Sequence, residues 1–127
     1  MTPMIKQKVR HVLVVEDEES FRRMVVRALA NKGYRISAAE DFESAIAIIE
    51  HDEPVHLLIT DVSLWSGQPN GVVLANMAQL RRSKLKVILM SGCYDVQWAA
   101  QYGDAAAVLQ KPFTVAELTE TVGRTLG

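Results

Sequence analysis

The chain has 127 residues, enough for one domain with a real core and too few for two. Its 14 Lys plus Arg stand against 15 Asp plus Glu, so there is no basic excess to mark a general nucleic-acid surface. The single cysteine, Cys93, cannot close an internal disulfide and fits a reducing, cytoplasmic setting. The first residues lack the apolar stretch of a signal peptide, and no apolar run is long enough to span a membrane.

Residues 1–8 show no periodicity and read as a loose end ahead of a single domain over 1–127, with its core at about 10–126. His11 to Val15 is a β-branched run that stops on Glu16-Asp17-Glu18-Glu19, and it predicts the first strand. Phe21, Met24, Val25, Ala28 and Leu29 then recur at helical spacing, and Asn31-Lys32-Gly33 ends that helix. Tyr34 to Ala38 is a weaker second strand. Phe42, Ala45, Ile46 and Ile49 mark a second helix, closed by the turn from His51 to Pro54.

His56 to Asp61 predicts a third strand, buried on both faces and ending on a carboxylate. Gly71 to Arg82 carries Val73, Met77 and Leu80 at helical spacing. Lys86 to Ser91 is a fourth strand, Val96 to Tyr102 a short helix, and Ala106 to Gln110 a fifth strand. Thr114 with Glu117 forms a capping box, Phe113 and Leu118 a hydrophobic staple, and Val115, Leu118 and Val122 the apolar stripe of the last helix. Strand and helix alternate five times, which predicts an α/β fold: a parallel sheet with helices on both faces, a three-layer sandwich.

Four features fall at the carboxyl ends of predicted strands, where open parallel sheets bind ligands. They are Glu16-Asp17, Asp61, Ser91-Gly92 and Lys111-Pro112. Crowded carboxylates repel unless a cation intervenes, and Mg²⁺ (or Mn²⁺) suits carboxylates combined with phosphate and water. A lysine ammonium and a serine hydroxyl can each hold a phosphate oxygen, and an aspartate can attack phosphorus.

This ordered set resembles the receiver domain of bacterial two-component response regulators, of the stand-alone or hybrid-kinase-associated type, over about Arg10 to Leu126. The resemblance implies a flavodoxin-like, doubly wound five-stranded sheet of order 2-1-3-4-5 with five helices. It implies that Asp61 is the phosphoacceptor and that Glu16, Asp17 and Asp61 hold the metal, with the backbone carbonyl of Ser63 completing the shell. Ser91 then matches the switch hydroxyl and Lys111 the phosphate-binding lysine, with a cis bond before Pro112 aiming it into the site. The implied donor is a sensor histidine kinase or a histidine phosphotransfer protein, and no activity is expected beyond the chain's own phosphorylation and dephosphorylation. Output would come through protein contacts of a monomer or weak dimer, without nucleic acid or membrane insertion.

The chain departs from the family pattern in places. Leu64-Trp65 replaces the usual Met-Pro pair, Gly71 arrives about two residues late, the span from Ser91 to Lys111 is about two residues short, and Val108 stands where an aromatic residue is usual. Three other functions fit these residues less well. A flavin binder would need a Ser/Thr/Gly-rich phosphate loop in place of Glu16 to Glu19. A two-aspartate phosphatase would need an Asp at position 63. A degenerate receiver acting as a phosphorylation-independent binding module is at odds with the complete acidic set. His11, His51 and His56 form no ligand set, Met77 and Met90 read as core, Trp65 and Trp98 as exposed, and Arg81-Arg82-Ser83-Lys84 as a solvated helix end suited to the helix dipole.

Overall fold

The computed structural model describes residues 9–64, 70–92 and 94–127. Among these, the elements alternate as β1 (His11–Val15), α1 (Glu19–Ala30), β2 (Arg35–Ala39), α2 (Phe42–Glu50), β3 (Leu57–Asp61), α3 (Asn70–Arg81), β4 (Lys86–Ser91), α4 (Val96–Gln101), β5 (Ala107–Gln110) and α5 (Val115–Leu126). The strands form one parallel sheet in the order β2-β1-β3-β4-β5. In register, Val15 lies beside Thr60 and Asp61 beside Met90, so the ends of β1, β3 and β4 fall together.

The central strands are apolar on both faces because both faces are covered. Leu13, Val15, Leu58, Val87 and Leu89 pack into one cluster with Ala45 and Ile49 of α2 and Leu74 and Ala78 of α3. Their alternates, Val12, Val14, Leu57, Ile59, Ile88 and Met90, pack into a second with Val25 and Leu29 of α1 and Leu118 and Val122 of α5. Each such large side chain that leaves water contributes about 1.5–3 kcal/mol.

Capping fixes where the helices start. Glu18 caps α1, its carboxylate accepting from the Ser20 and Phe21 amides; Asp41 caps α2 at Ser44; Thr114 caps α5 at Glu117. Phe113 and Leu118 share the second cluster, as a staple requires. The bond between Lys111 and Pro112 is cis, as expected.

Two expected helix faces are corrected. On α3 the core face is Leu74, Ala75 and Ala78, while Val73 is 48% and Leu80 85% exposed. The helix is apolar nearly all round, and the small residues win because it lies close against β3: a Cβ on Gly71 would stand 1.7 Å from the Asp61 carbonyl oxygen. On α5, Val115 occupies the first turn and is half exposed, leaving Leu118 and Val122 to the core.

Met90 is buried as expected, Met77 only half-buried. Trp98 is half-buried against the first cluster, not exposed, and Trp65 and Cys93 lie outside the described residues. Arg82 is no solvated helix end either. Its guanidinium donates to the carbonyls of Ile49 (2.9 Å), His51 and Glu53 (2.9 Å), tying the end of α3 to the turn after α2.

Candidate functional site

The acidic run after β1 divides its labour. The Glu16 backbone N–H donates to the Ala39 carbonyl (3.1 Å), and Arg22 donates to the Glu16 carbonyl (2.8 Å), so Glu16 is held from β2 and from α1. Glu16 is fully buried and Asp17 half-buried, whereas Glu18 is used as the α1 cap and Glu19 pairs with Arg23 on the surface. Only the first two can serve the site.

Asp61 ends β3 with 7% of its surface exposed, and the Thr60 hydroxyl donates to its backbone carbonyl (3.0 Å). Carboxylate oxygens of Glu16, Asp17 and Asp61 lie within 4.8 Å of one another. Lys111 reaches across from the end of β5. Its Nζ donates to Glu16 Oε1 (2.5 Å) and to Asp61 Oδ2 (3.0 Å). The ammonium also sits 4.4 Å above the Phe21 ring, which packs edge-on against Phe113 at 5.4 Å. Two aromatic residues that the sequence marks only for a helix stripe and a staple thus steer the lysine.

The electrostatics follow from burial. Removal from water raises the Glu16 carboxyl, and its hydrogen bond with Asp61 raises it further, against the lowering effect of Lys111. Burial likewise raises Asp61, outweighing the stabilising contacts from Glu16 and Lys111. Burial alone would lower Lys111, but hydrogen bonds and charge from Glu16 and Asp61 prevail, and its pKa is raised. One ammonium among three carboxylates leaves the cluster short of positive charge.

Ser91 ends β4 fully buried. Its hydroxyl has no hydrogen-bond partner among the described residues, while its backbone carbonyl accepts from the Lys111 amide (2.8 Å). Ser63 lies half-buried just past β3. The four strand-end features read from the sequence therefore do converge on one edge of the sheet. The histidines do not join them: His11 is buried between the Pro54 carbonyl (2.9 Å) and the Ser37 hydroxyl (2.7 Å).

A family model of the response regulator receiver domain matches residues 12–123. The chain belongs to the response regulator receiver domain family. It is 30% identical over 120 residues to the response regulator receiver protein CpdR of Brucella abortus, covering 92% of this chain and 97% of that one. It is 31% identical over 127 residues to a probable chemotaxis protein CheY of Rhizobium etli, covering 97% and 96%. The solved receiver domain of NtrX from Brucella abortus superposes with a TM-score of 0.80 at 29% identity, over 91% of this chain and 97% of that one. This receiver is thus a two-component signalling module of flavodoxin-like topology, and among its described residues no helix is long and apolar enough to cross a membrane.

Proposed function

We propose that this receiver accepts a phosphoryl group on Asp61 from a phosphohistidine donor, in a Mg²⁺-dependent reaction, and signals through altered protein contacts. The observation that carries the reading is the set of three carboxylates within 4.8 Å with Lys111 spanning two of them.

The donor set fits a hard divalent cation: oxygen ligands from Glu16, Asp17 and Asp61 and an uncompensated negative charge, with the Ser63 backbone carbonyl expected from the family to complete the shell. Mg²⁺ bound there would offset the charge on the transferring phosphoryl oxygens. The chain's own residues do the rest. An Asp61 carboxylate oxygen attacks phosphorus, the bond from phosphorus to the donor imidazole nitrogen breaks with its electron pair leaving on nitrogen, and an aspartyl phosphate forms. Lys111 exchanges its contact with Asp61 Oδ2 for a phosphoryl oxygen. The buried Ser91 hydroxyl, without a partner among the described residues, is available to donate to another.

The chemistry stays on the chain itself. A phosphatase acting on foreign phosphoesters would need a general acid two positions beyond Asp61, and Ser63 stands there. A flavin phosphate would meet Glu16 and Asp17 instead of a phosphate loop. The partner supplying the phosphoryl group is a sensor histidine kinase or a histidine phosphotransfer protein in the cytoplasm. Intact-mass analysis after incubation with Mg²⁺ and acetyl phosphate tests the proposal. The wild type should gain one phosphoryl group and Asp61→Asn none. A wild type that gains nothing would leave only a phosphorylation-independent binding module.

A further inference from the structure

The opposite edge of the sheet carries the reverse charge. Arg10 precedes β1, His56 precedes β3, Lys86 opens β4, Arg81 closes α3, and Arg82 and Lys84 lie in the α3–β4 connection. All six line one open cleft of about 550 Å³, and among the described residues no Asp or Glu lines it. At about 3.3 Å per strand residue, β3 puts this cleft about 15 Å from Asp61.

The cluster gathers five of the chain's 14 Lys and Arg, leaving nine against 15 Asp and Glu elsewhere. Structural duties account for only two of the five. Arg82 serves the carbonyls of Ile49, His51 and Glu53, which do not cancel its charge, and Arg81 pairs with Glu50 at the surface (2.9 Å). Arg10, Lys84 and Lys86 are exposed and make no ion pair among the described residues. Their charges serve no contact within the described fold.

We propose that this cleft is a docking surface for an acidic segment of a partner protein, on the face of the sheet edge remote from the phosphoacceptor. Guanidinium forks match carboxylates, and Pro54 and Leu126 add apolar lining for a side chain between the acids. Among the described residues no Phe, Tyr or Trp lines the cleft, so the large stacking platforms typical of single-strand binding are missing there.

The test is fluorescence anisotropy with a labelled Glu/Asp-rich peptide carrying one leucine, at low salt, with tripolyphosphate and a single-stranded oligonucleotide of equal charge as comparison ligands. The peptide should bind, bind less as salt rises, and lose about tenfold in affinity in the triple variant Arg10→Glu/Lys84→Glu/Lys86→Glu, which removes three exposed ion pairs. Arg23→Glu/Arg124→Glu, a charge reversal elsewhere, should change affinity by less than about twofold. ¹⁵N shift changes on peptide addition should centre on Arg10, His56 and Arg81 to Lys86. Unchanged binding in the triple variant, an equal loss in the control variant, or tighter binding of either comparison ligand would overturn the proposal. Circular dichroism of both variants separates lost binding from lost fold. No phosphoryl donor is involved, so the outcome is independent of the chemistry at Asp61.

Discussion

Gly71→Ala isolates the contact that seats α3 under the phosphoacceptor. The added Cβ would lie 1.7 Å from the Asp61 carbonyl oxygen, 2.7 Å from its carbonyl carbon and 3.1 Å from the Val62 Cα, all backbone atoms. Restoring even a 3.0 Å contact needs a shift of about 1.3 Å, and no flexible side chain can absorb it. Either α3 lifts, loosening Leu74, Ala75 and Ala78, or the end of β3 moves and carries Asp61 away from Lys111. Overpacking of this kind costs about 1–3 kcal/mol, and the hydrogen bond from the Gly71 amide to the Val62 carbonyl (3.0 Å) is strained with it. The intrinsic helix gain from glycine to alanine offsets at most about 1 kcal/mol. A net loss of about 1–2 kcal/mol should lower the melting temperature by about 3–8 °C. Urea unfolding and a melting curve read the stability, and acetyl phosphate labelling reads the site, which should label more slowly. Gly123→Ala is the internal control: it lies within α5 with nothing within 4 Å of a new Cβ, so it should gain up to about 1 kcal/mol. If Gly71→Ala matches or exceeds the wild type in urea midpoint, the close approach is not what places α3.

Three further outcomes follow from the same geometry. Arg82→Ala should cost about 1–2 kcal/mol by urea unfolding, because three carbonyls after α2 lose a charged donor, while Arg81→Ala, which breaks one exposed pair, should cost under about 1 kcal/mol; equal losses would refute the distinction. Burial holds Glu16 and Asp61 above the ordinary carboxyl range, so without metal their ionised forms oppose folding, and stability contributed by these two groups is gained as pH falls through their raised values. Protons and Mg²⁺ then compete for the same oxygens, and a fixed Mg²⁺ concentration should raise the melting temperature more at about pH 8 than at about pH 5; a shift that is equal or larger in acid contradicts this. Val108 is 45% exposed on β5 and stiff about χ1, so it cannot swing a ring between two states. Beryllofluoride should therefore alter amide exchange mainly at Ser91 and residues 63–71, and a response centred on Val108 and α5 would disprove that.

Much of the fold was legible because its signals are local. The runs in β1, β3 and β4 are apolar on both faces, and Thr114 with Glu117 marks a helix start within four residues. The site residues were legible because the carboxyl end of a parallel strand is where such sheets place chemistry, and Glu16, Asp17, Asp61, Ser91 and Lys111 all sit there. The face of α3 was not legible. Val73, Met77 and Leu80 make as good a helical stripe as Leu74, Ala75 and Ala78, and only the clearance over Asp61 chooses between them. Arg82 was misread for a related reason, since its partners lie about thirty residues away in the chain.

By itself, then, the sequence determined the alternation of elements, the caps, and the carboxylates, hydroxyl and lysine delivered to strand ends, all set by periodicity and by contacts a few residues apart. The tertiary structure alone decided how those ends combine. Strand order brings β1 between β2 and β3 and sets Lys111 from β5 between Glu16 and Asp61, 95 and 50 residues away. It also brings Arg10 beside the cationic run from Arg81 to Lys86 at the other edge, which the sequence places far from it along the chain. Charges so far apart along the chain acquire an interaction energy only when the sheet fixes their separation, because Coulomb attraction and repulsion depend on distance in space and not on distance in sequence.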